Sequence, residues 1–374
     1  MERRSGASVS ITLLVPGLLG PWPRALHDDI TGGLEVAGLI ELLNRTQAPL
    51  PPNDQPPCSV EALLLDALYP GGGWPSRVEQ TGPAGPGEAW PYAAITYAFD
   101  TGETATDWVM RCDPVHLRPD VGTAYLFAGD ELELEQAEAE ALAGTLNAHF
   151  AEEGFRLEVP TPARWYLRQE RPPQLVASPP SVIARQEVGA FLPAEEGALT
   201  WRRRFNEAQM VLYQAETNLA REGRGALPVN SVWFWGAGKL PADTPRDASS
   251  YTCVWSDLAL VGGLGVLGWE TSRLLPANVD EWFVELEPGR HLVVLDAAYG
   301  AVISNDVEAW RLALEDFEVR WIPPLRDRER SIGLELRVDL VPGQRELPVR
   351  RPRFFDRWQR KREFAQLLGE SDAC

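Results

Sequence analysis

The 374-residue sequence predicts an α/β protein with a mostly parallel sheet, helices on both of its faces, and a small α+β insertion domain. Three observations carry this. Apolar runs such as NSVWFWG (230–236) and HLVVLDAAYG (291–300), bounded by proline or glycine, read as strands buried on both faces, as in parallel sheets. Helix-period segments alternate with them, which is the pattern of a doubly covered sheet. Between 91 and 184 the texture changes to several strand-like segments around a single acidic helix.

In chain order, ITLLVPGLLG (11–20) reads as a buried strand and turn, and 33–44 as a short helix. Five prolines in 48–57 forbid regular structure there. CSVEALLLDALY (58–69) reads as a helix, and the Gly/Pro-rich 70–91 as a second long loop. AAITYAFD (93–100), TDWVMRCDPVHL (106–117) and GTAYLFA (122–128) read as strands, 132–150 as an acidic helix, and 155–168 as a strand pair. A long helix over 199–222, stopped by Gly223 and Gly225, precedes the 230–236 strand. A helix at 307–317 and a short strand VRWIPPL (319–325) come after the 291–300 run. The expected domains are an α/β core from 1–90 and 185–340, an insertion over 91–184, and an arginine-rich tail over 341–374.

Composition narrows the function. A net charge of −19 argues against general nucleic-acid or anionic-membrane binding, since a phosphate backbone demands a basic face. The apolar 11–20 stretch is too short to span a bilayer and is broken by Pro16. Cys58, Cys112, Cys253 and Cys374 are scattered without a CxxC pair, so reduced thiols in a cytoplasmic protein are expected. Residues 345–363 carry eight basic against three acidic side chains. Such a tail either docks back onto the acidic body or contacts a protein partner.

The phosphate-loop motifs fail on inspection. Gly263, Gly265 and Gly268 satisfy GxGxxG, but a poor strand precedes them and Pro276 interrupts the segment after them, so close helix packing is the better reading. The GAGK at 236–239 lacks a Walker loop's first glycine and has Leu240 where a Ser or Thr would hold Mg²⁺. Lys239 and its neighbouring amides remain candidates for an anion. His27, His116, His149 and His291 are too few and dispersed for most multi-metal sites. The densest polar constellation is MRCDPVHLR (110–118). Arg111, Arg118 and His116 could grip a phosphate or carboxylate, or Arg111 and Asp113 could close an internal ion pair; both stay open.

Several segments together resemble the archaeal-type cofactor-independent phosphoglycerate mutases of the alkaline phosphatase superfamily. These are FNEAQMVLYQAETNLAREGRGALPVNSVWFWGAGKLP (205–241), CSVEALLLDALYP (58–70), VMRCDPVHL (109–117), and LNAHF with FRLEV after it. More closely, the chain is similar to bacterial regulatory proteins of the RpfE type, divergent relatives of those mutases. The resemblance implies an alkaline phosphatase-like core, with Ser59 at the nucleophile position and Arg111 facing substrate. It also exposes departures. The family's metal-binding Asp-Gly is Pro16-Gly17 here, its RGAG arginine is Trp235, and its Asp-Glu-Ala-Gly-His segment is reduced to Asp296-Ala-Ala-Tyr-Gly300. Phosphoseryl transfer in that superfamily relies on two divalent ions.

The expectation is therefore a mutase-like protein without its two-metal site and without a cofactor, acting as a regulatory or binding module. Arg111, Asp113, His116, Asn230 and Lys239 would hold a small phosphorylated or carboxylated ligand. Two alternatives stand beside it: an active phosphomutase using Ser59 and Asp296, and an interaction protein working through 345–363.

Overall fold

The computed structural model describes residues 8–47, 58–69, 78–82, 85–121, 123–173, 175, 177–183, 187–192, 199–240, 249–338, 347–353 and 362–368. The chain divides into two compact units, Met1–Gly73 with Asp247–Val261 and Glu270–Cys374, and Trp74–Arg246 with Gly262–Trp269.

The first unit holds β1 (Val9–Leu14), α1 (His27–Thr31), α2 (Ala37–Leu43) and α3 (Val60–Leu68). The second holds β2 (Val78–Gly82), β3 (Gly85–Ala89), α4 (Tyr92–Thr101), β4 (Trp108–Asp120), β5 (Thr123–Ala128), α5 (Gln136–His149), β6 (Leu157–Thr161) and β7 (Arg164–Gln169). It continues through α6 (Pro180–Ile183), α7 (Leu199–Tyr213), α8 (Glu216–Gly223) and β8 (Ser231–Gly238). The chain then returns to the first unit with β9 (Cys253–Trp255), and α9 (Ala259–Val266) carries it across the division once more. The remainder is β10 (Ser272–Arg273), α10 (Val279–Glu285), β11 (Gly289–Val294), α11 (Ala297–Ile303), α12 (Val307–Arg320), α13 (Ile322–Arg328), β12 (Ile332–Arg337), β13 (Leu347–Pro348) and α14 (Phe364–Leu367).

The first unit is the α/β part. Its sheet runs β10-β9-β11-β1-β12-β13, parallel throughout except for β13. The central strand β1 is flanked by β11 and β12, so Ile11, Leu13 and Leu14 are fully buried, as the mostly apolar run required. Pro16-Gly17 turns the chain out of β1. Gly17 is in the left-handed region (φ 77°), and a Cβ there would lie 3.0 Å from the Ala298 carbonyl oxygen, so glycine is required on two counts. α2 lacks a side-chain cap of its own; the Glu318 carboxylate of α12 accepts from the Gly38 and Leu39 amides instead, at 2.8 and 2.7 Å.

The second unit is built on an antiparallel sheet, β5-β4-β7-β6, with β8 also paired to β4. The long β4 alternates cleanly. Met110 and Cys112 join a core with Leu142, Leu146, Trp201 and Phe234, while Val115 and Leu117 join Trp233, Trp235 and Leu126.

Four expectations change. The 230–236 run is β8, antiparallel to β4, not a parallel core strand. It is wholly apolar because both of its faces are covered, and burial alone does not encode strand direction. AAITYAFD lies in α4: Pro91 precedes the helix and Gly102 (φ 73°) closes it, start and stop signals that outweigh β-favouring Ile, Thr and Tyr. VRWIPPL is the end of α12 and the start of α13; Pro323 and Pro324 sit in a first turn, where no amide hydrogen is needed. The 199–222 helix breaks into α7 and α8 at residues 214–215.

Asn218 explains the break. Its amide donates to the carbonyls of Leu212 and Val229, both at 2.8 Å, and its Oδ1 accepts from the Val229 amide at 2.9 Å. Buried, it ties the end of α7 to the entry of β8. Asn218→Ala strands these backbone groups and should cost about 1–3 kcal/mol in a denaturant titration. An unchanged midpoint would show that they find other partners.

Among the described residues, no helix is long and apolar enough to cross a membrane. The basic tail is described over 347–353 and 362–363; Arg345, Arg357, Arg360 and Lys361 lie outside the described residues. Its described parts dock on the first unit, through β13, through the Arg350 amide on the Arg45 carbonyl (2.9 Å), and through Asn44, which brackets Arg362.

Candidate functional site

In the first unit, parallel strands β1, β9, β11 and β12 end on one edge, where open α/β sheets take their ligands. Ser59 lies at the N-terminus of α3, buried, and its Oγ accepts from the Ala62 amide at 3.1 Å as the helix N-cap. Asp296 follows β11 and precedes α11. The two helix starts are linked by Tyr299, whose hydroxyl donates to the Cys58 carbonyl at 2.9 Å. Burial pushes the Asp296 carboxyl above its ordinary range, and the nearby Asp257 carboxylate raises it further. Asp257, at the end of β9, accepts from the Leu275 amide at 3.0 Å. Burial also drives the Cys58 thiol up to about 12, which makes it a poor nucleophile at neutral pH.

This donor set does not fit the two divalent ions that the family resemblance implies. Pro16 offers no side-chain ligand, and one oxygen of the Asp257 carboxylate already accepts from the Leu275 amide. Among the described residues no three His, Cys, Asp or Glu side chains come together to hold a metal ion.

In the second unit, Arg111 and Asp113 share one face of β4 and form a bidentate pair, Nε to Oδ1 at 2.8 Å and Nη2 to Oδ2 at 2.9 Å. Both are almost fully buried. The Trp235 indole donates to Asp113 Oδ2 at 2.6 Å, and the guanidinium lies over the rings of Tyr166 and Trp235 at 5.3 and 5.1 Å. Desolvation dominates Asp113 and leaves its carboxyl above the usual range, although Arg111 and the indole pull it back. The ion-pair half of the sequence expectation is thus realised. The third guanidinium nitrogen, Nη1, donates to Thr96 Oγ1 at 3.5 Å. The network runs on through Tyr166, whose hydroxyl donates to Asp100 at 2.5 Å, and Asp100 in turn takes a bidentate pair from Arg164.

The other three candidates lie elsewhere on the β4–β8 ladder. His116 Nδ1 donates to the Pro228 carbonyl at 2.8 Å. Asn230 clips the strand edge, accepting from the Leu117 amide at 2.7 Å and donating to the Leu117 carbonyl at 2.9 Å. Lys239 is exposed just past Gly238, which pairs with Val109, whereas Ser231 pairs with Val115. Six or more strand residues, about 20 Å, therefore separate Lys239 from His116 and Asn230. The ladder does not bring the five candidates into one cluster.

Residues that sequence reasoning did not single out are Thr96, Asp100, Arg164 and Tyr166. Thr96 and Asp100 were hidden by reading α4 as a strand. Tyr166 was legible from alternation along RWYLR, which turns it away from buried Trp165 and Leu167.

No protein-family model matches the chain. A Geobacter sulfurreducens protein described as a probable 2,3-bisphosphoglycerate-independent phosphoglycerate mutase is 28% identical over 169 residues, 41% of this chain and 42% of that protein. The 2,3-bisphosphoglycerate-independent phosphoglycerate mutase of Methanothrix thermoacetophila is 29% identical over 182 residues, 45% and 46% of the two chains. The chain is similar to these mutases. The matched segments span less than half the length of either relative. Among solved structures, a Pyrococcus horikoshii protein aligns over 89% of this chain and 82% of its own, at 14% identity and a TM-score of 0.49.

Proposed function

We propose that this mutase-like chain is a regulatory or binding module that holds a small phosphorylated or carboxylated ligand without turning it over. The donor set beside Ser59 carries the reading. A phosphoseryl step needs concentrated positive charge next to an ionised alcohol. Burial and the Asp257 carboxylate hold the Asp296 carboxyl above its ordinary range, and the position of the family's first metal aspartate is Pro16 here, in a turn built on Gly17. On the ligand side, Arg111 spends two donors on Asp113, and its Nη1 would exchange the long Thr96 contact for an incoming anion.

One observation favours an active phosphotransferase instead. Ser59 sits at the N-terminus of a nine-residue helix, where the helix dipole stabilises a developing alkoxide. The two readings separate in a turnover assay of the full chain with 3-phosphoglycerate and Mn²⁺. The binding reading expects background turnover in both wild type and Ser59→Ala. Measurable wild-type turnover that disappears in Ser59→Ala would establish the enzyme and overturn the module. For the ligand, Arg111→Lys keeps the charge but loses the planar fork, so affinity for 3-phosphoglycerate in calorimetry should fall roughly tenfold or more. Unchanged affinity would remove Arg111 from the site. On the third reading, an interaction module, the exposed Arg351, Arg353 and Arg362 of the docked tail would belong to the surface for an acidic protein partner.

A further inference from the structure

The four histidines are not equivalent. In His291, Nε2 donates to the Glu287 carbonyl at 2.8 Å while Nδ1 accepts from the Trp255 indole at 3.3 Å, so one neutral tautomer satisfies both. His149 is exposed beside Glu207, and His116 makes a single carbonyl contact. His27 differs in kind. It is buried, and both ring nitrogens face main-chain carbonyl oxygens: Nε2 the Trp22 oxygen at 2.8 Å, Nδ1 the Ala365 oxygen at 3.1 Å. A carbonyl only accepts, and a neutral imidazole carries one N–H. Both contacts are hydrogen bonds only when the ring is a cation.

The second of these contacts holds the C-terminal segment. Residues 362–368 reach the first unit by a short set of attachments. Phe364 stacks on Trp310 (centroids 6.1 Å apart), Leu367 and Leu368 are buried, and Asn44 accepts from the Arg362 amide and donates to its carbonyl, both at 3.0 Å. The His27–Ala365 bond completes the set. We propose that His27 is a proton-operated clasp: the imidazolium fastens 362–368 to α1, and the neutral ring loosens it. The Trp22 contact is the shorter and the fully buried one, so the remaining N–H of the neutral ring stays there and Ala365 is released.

The charged groups of the packed elements set the local field. α1 itself carries Asp28 and Asp29, both exposed, and Arg24 lies in the preceding turn. From α12, Arg311 ends on the carbonyls of Ile30 and Gly32. From the C-terminal segment, Glu363 is held in a capping box with Gln366, and Arg362 is exposed. None of these is hydrogen-bonded to the His27 ring, so the two carbonyls are its described polar partners.

Histidine-selective ¹⁵N labelling of the full chain tests this without a variant. Followed across a pH series, the ring should pass from two protonated nitrogens to one, with Nε2 keeping its proton. Over the same range, hydrogen exchange in 362–368, corrected for intrinsic rates, should accelerate about tenfold, the equivalent of one hydrogen bond to a charged donor. In His27→Gln the exchange of 362–368 should lose its pH dependence while the rest of the first unit keeps its own. A ring that does not change protonation across the range, or a 362–368 profile equal in wild type and variant, overturns the clasp.

Discussion

Arg111→Leu should lower the stability of the second unit by about 3–5 kcal/mol, the cost of leaving a buried carboxylate without its partner. The same change paired with Asp113→Leu should be much milder, because removing both charges removes the desolvation cost along with the attraction. The pH dependence has a definite sign. Burial already holds the Asp113 carboxyl above its ordinary range, with Arg111 pulling it down. In the single variant that opposition is gone, so the native carboxyl binds its proton still more tightly than the unfolded one. Stability linked to this group is then gained as pH falls through the raised value and lost as pH rises through it. The deficit of Arg111→Leu against wild type should be largest near neutrality and shrink toward about pH 5. Urea titrations at both pH values measure it; a deficit independent of pH would mean that lost packing on Tyr166 and Trp235, not the stranded charge, sets the cost.

Gly263→Val should be comparably damaging. A Cβ at Gly263 would stand 2.2 Å from the Ile95 carbonyl oxygen, and at Gly262 it would stand 2.3 Å from the Phe99 ring. Ile95 and Phe99 are on α4, so α9 lies against that helix with no room for a side chain at either position. Flexible side chains yield to overpacking at about 1–3 kcal/mol; at Gly263 the obstacle is backbone, and α9 must move. Gly262→Ala meets only the Phe99 ring and should cost less. Urea titration of the two variants gives the order. If Gly263→Val were silent while abolishing the binding of an added dinucleotide, the glycines would belong to a phosphate loop after all.

The GxGxxG was legible as a packing motif because its sequence context was wrong for a nucleotide: no good strand before it and a proline soon after. The parallel sheet was legible in the same way. Ile11 to Leu14, interrupted only by the buried Thr12, and Leu292 to Val294 are apolar runs because strands at the centre of a covered sheet have no solvent face. The same logic failed at 230–236. Val232, Phe234 and Trp233 are equally buried, but in an antiparallel sheet, and a doubly buried strand carries no mark of its direction. α4 was misread because Ile95, Thr96 and Tyr97 favour strands locally, while the decisive signals, Pro91 and Gly102, lie outside the run.

At the site, residue types drew attention to Arg111 and Asp113, because the chemistry of a charged group is a property of the side chain, while Ser59 and Asp296 were put forward by the family resemblance. Whether such a group acts outward or is spent internally depends on what faces it. Arg111 is two residues from Asp113 in the sequence, and strand alternation put both on one face; that much was there to read. That Trp235, more than a hundred residues later, would donate to the same carboxylate, and that Tyr166 would cover the guanidinium, came only from strand pairing. His27 makes the same point. As a lone histidine in a short helix it carried no signal, and its meaning arises from a carbonyl 338 residues away. Periodicity, turn residues and side-chain chemistry are local and survive in the linear order of the chain. Partnership, strand direction and the protonation a buried ring requires are set by groups distant in sequence, and they exist only once the chain is folded.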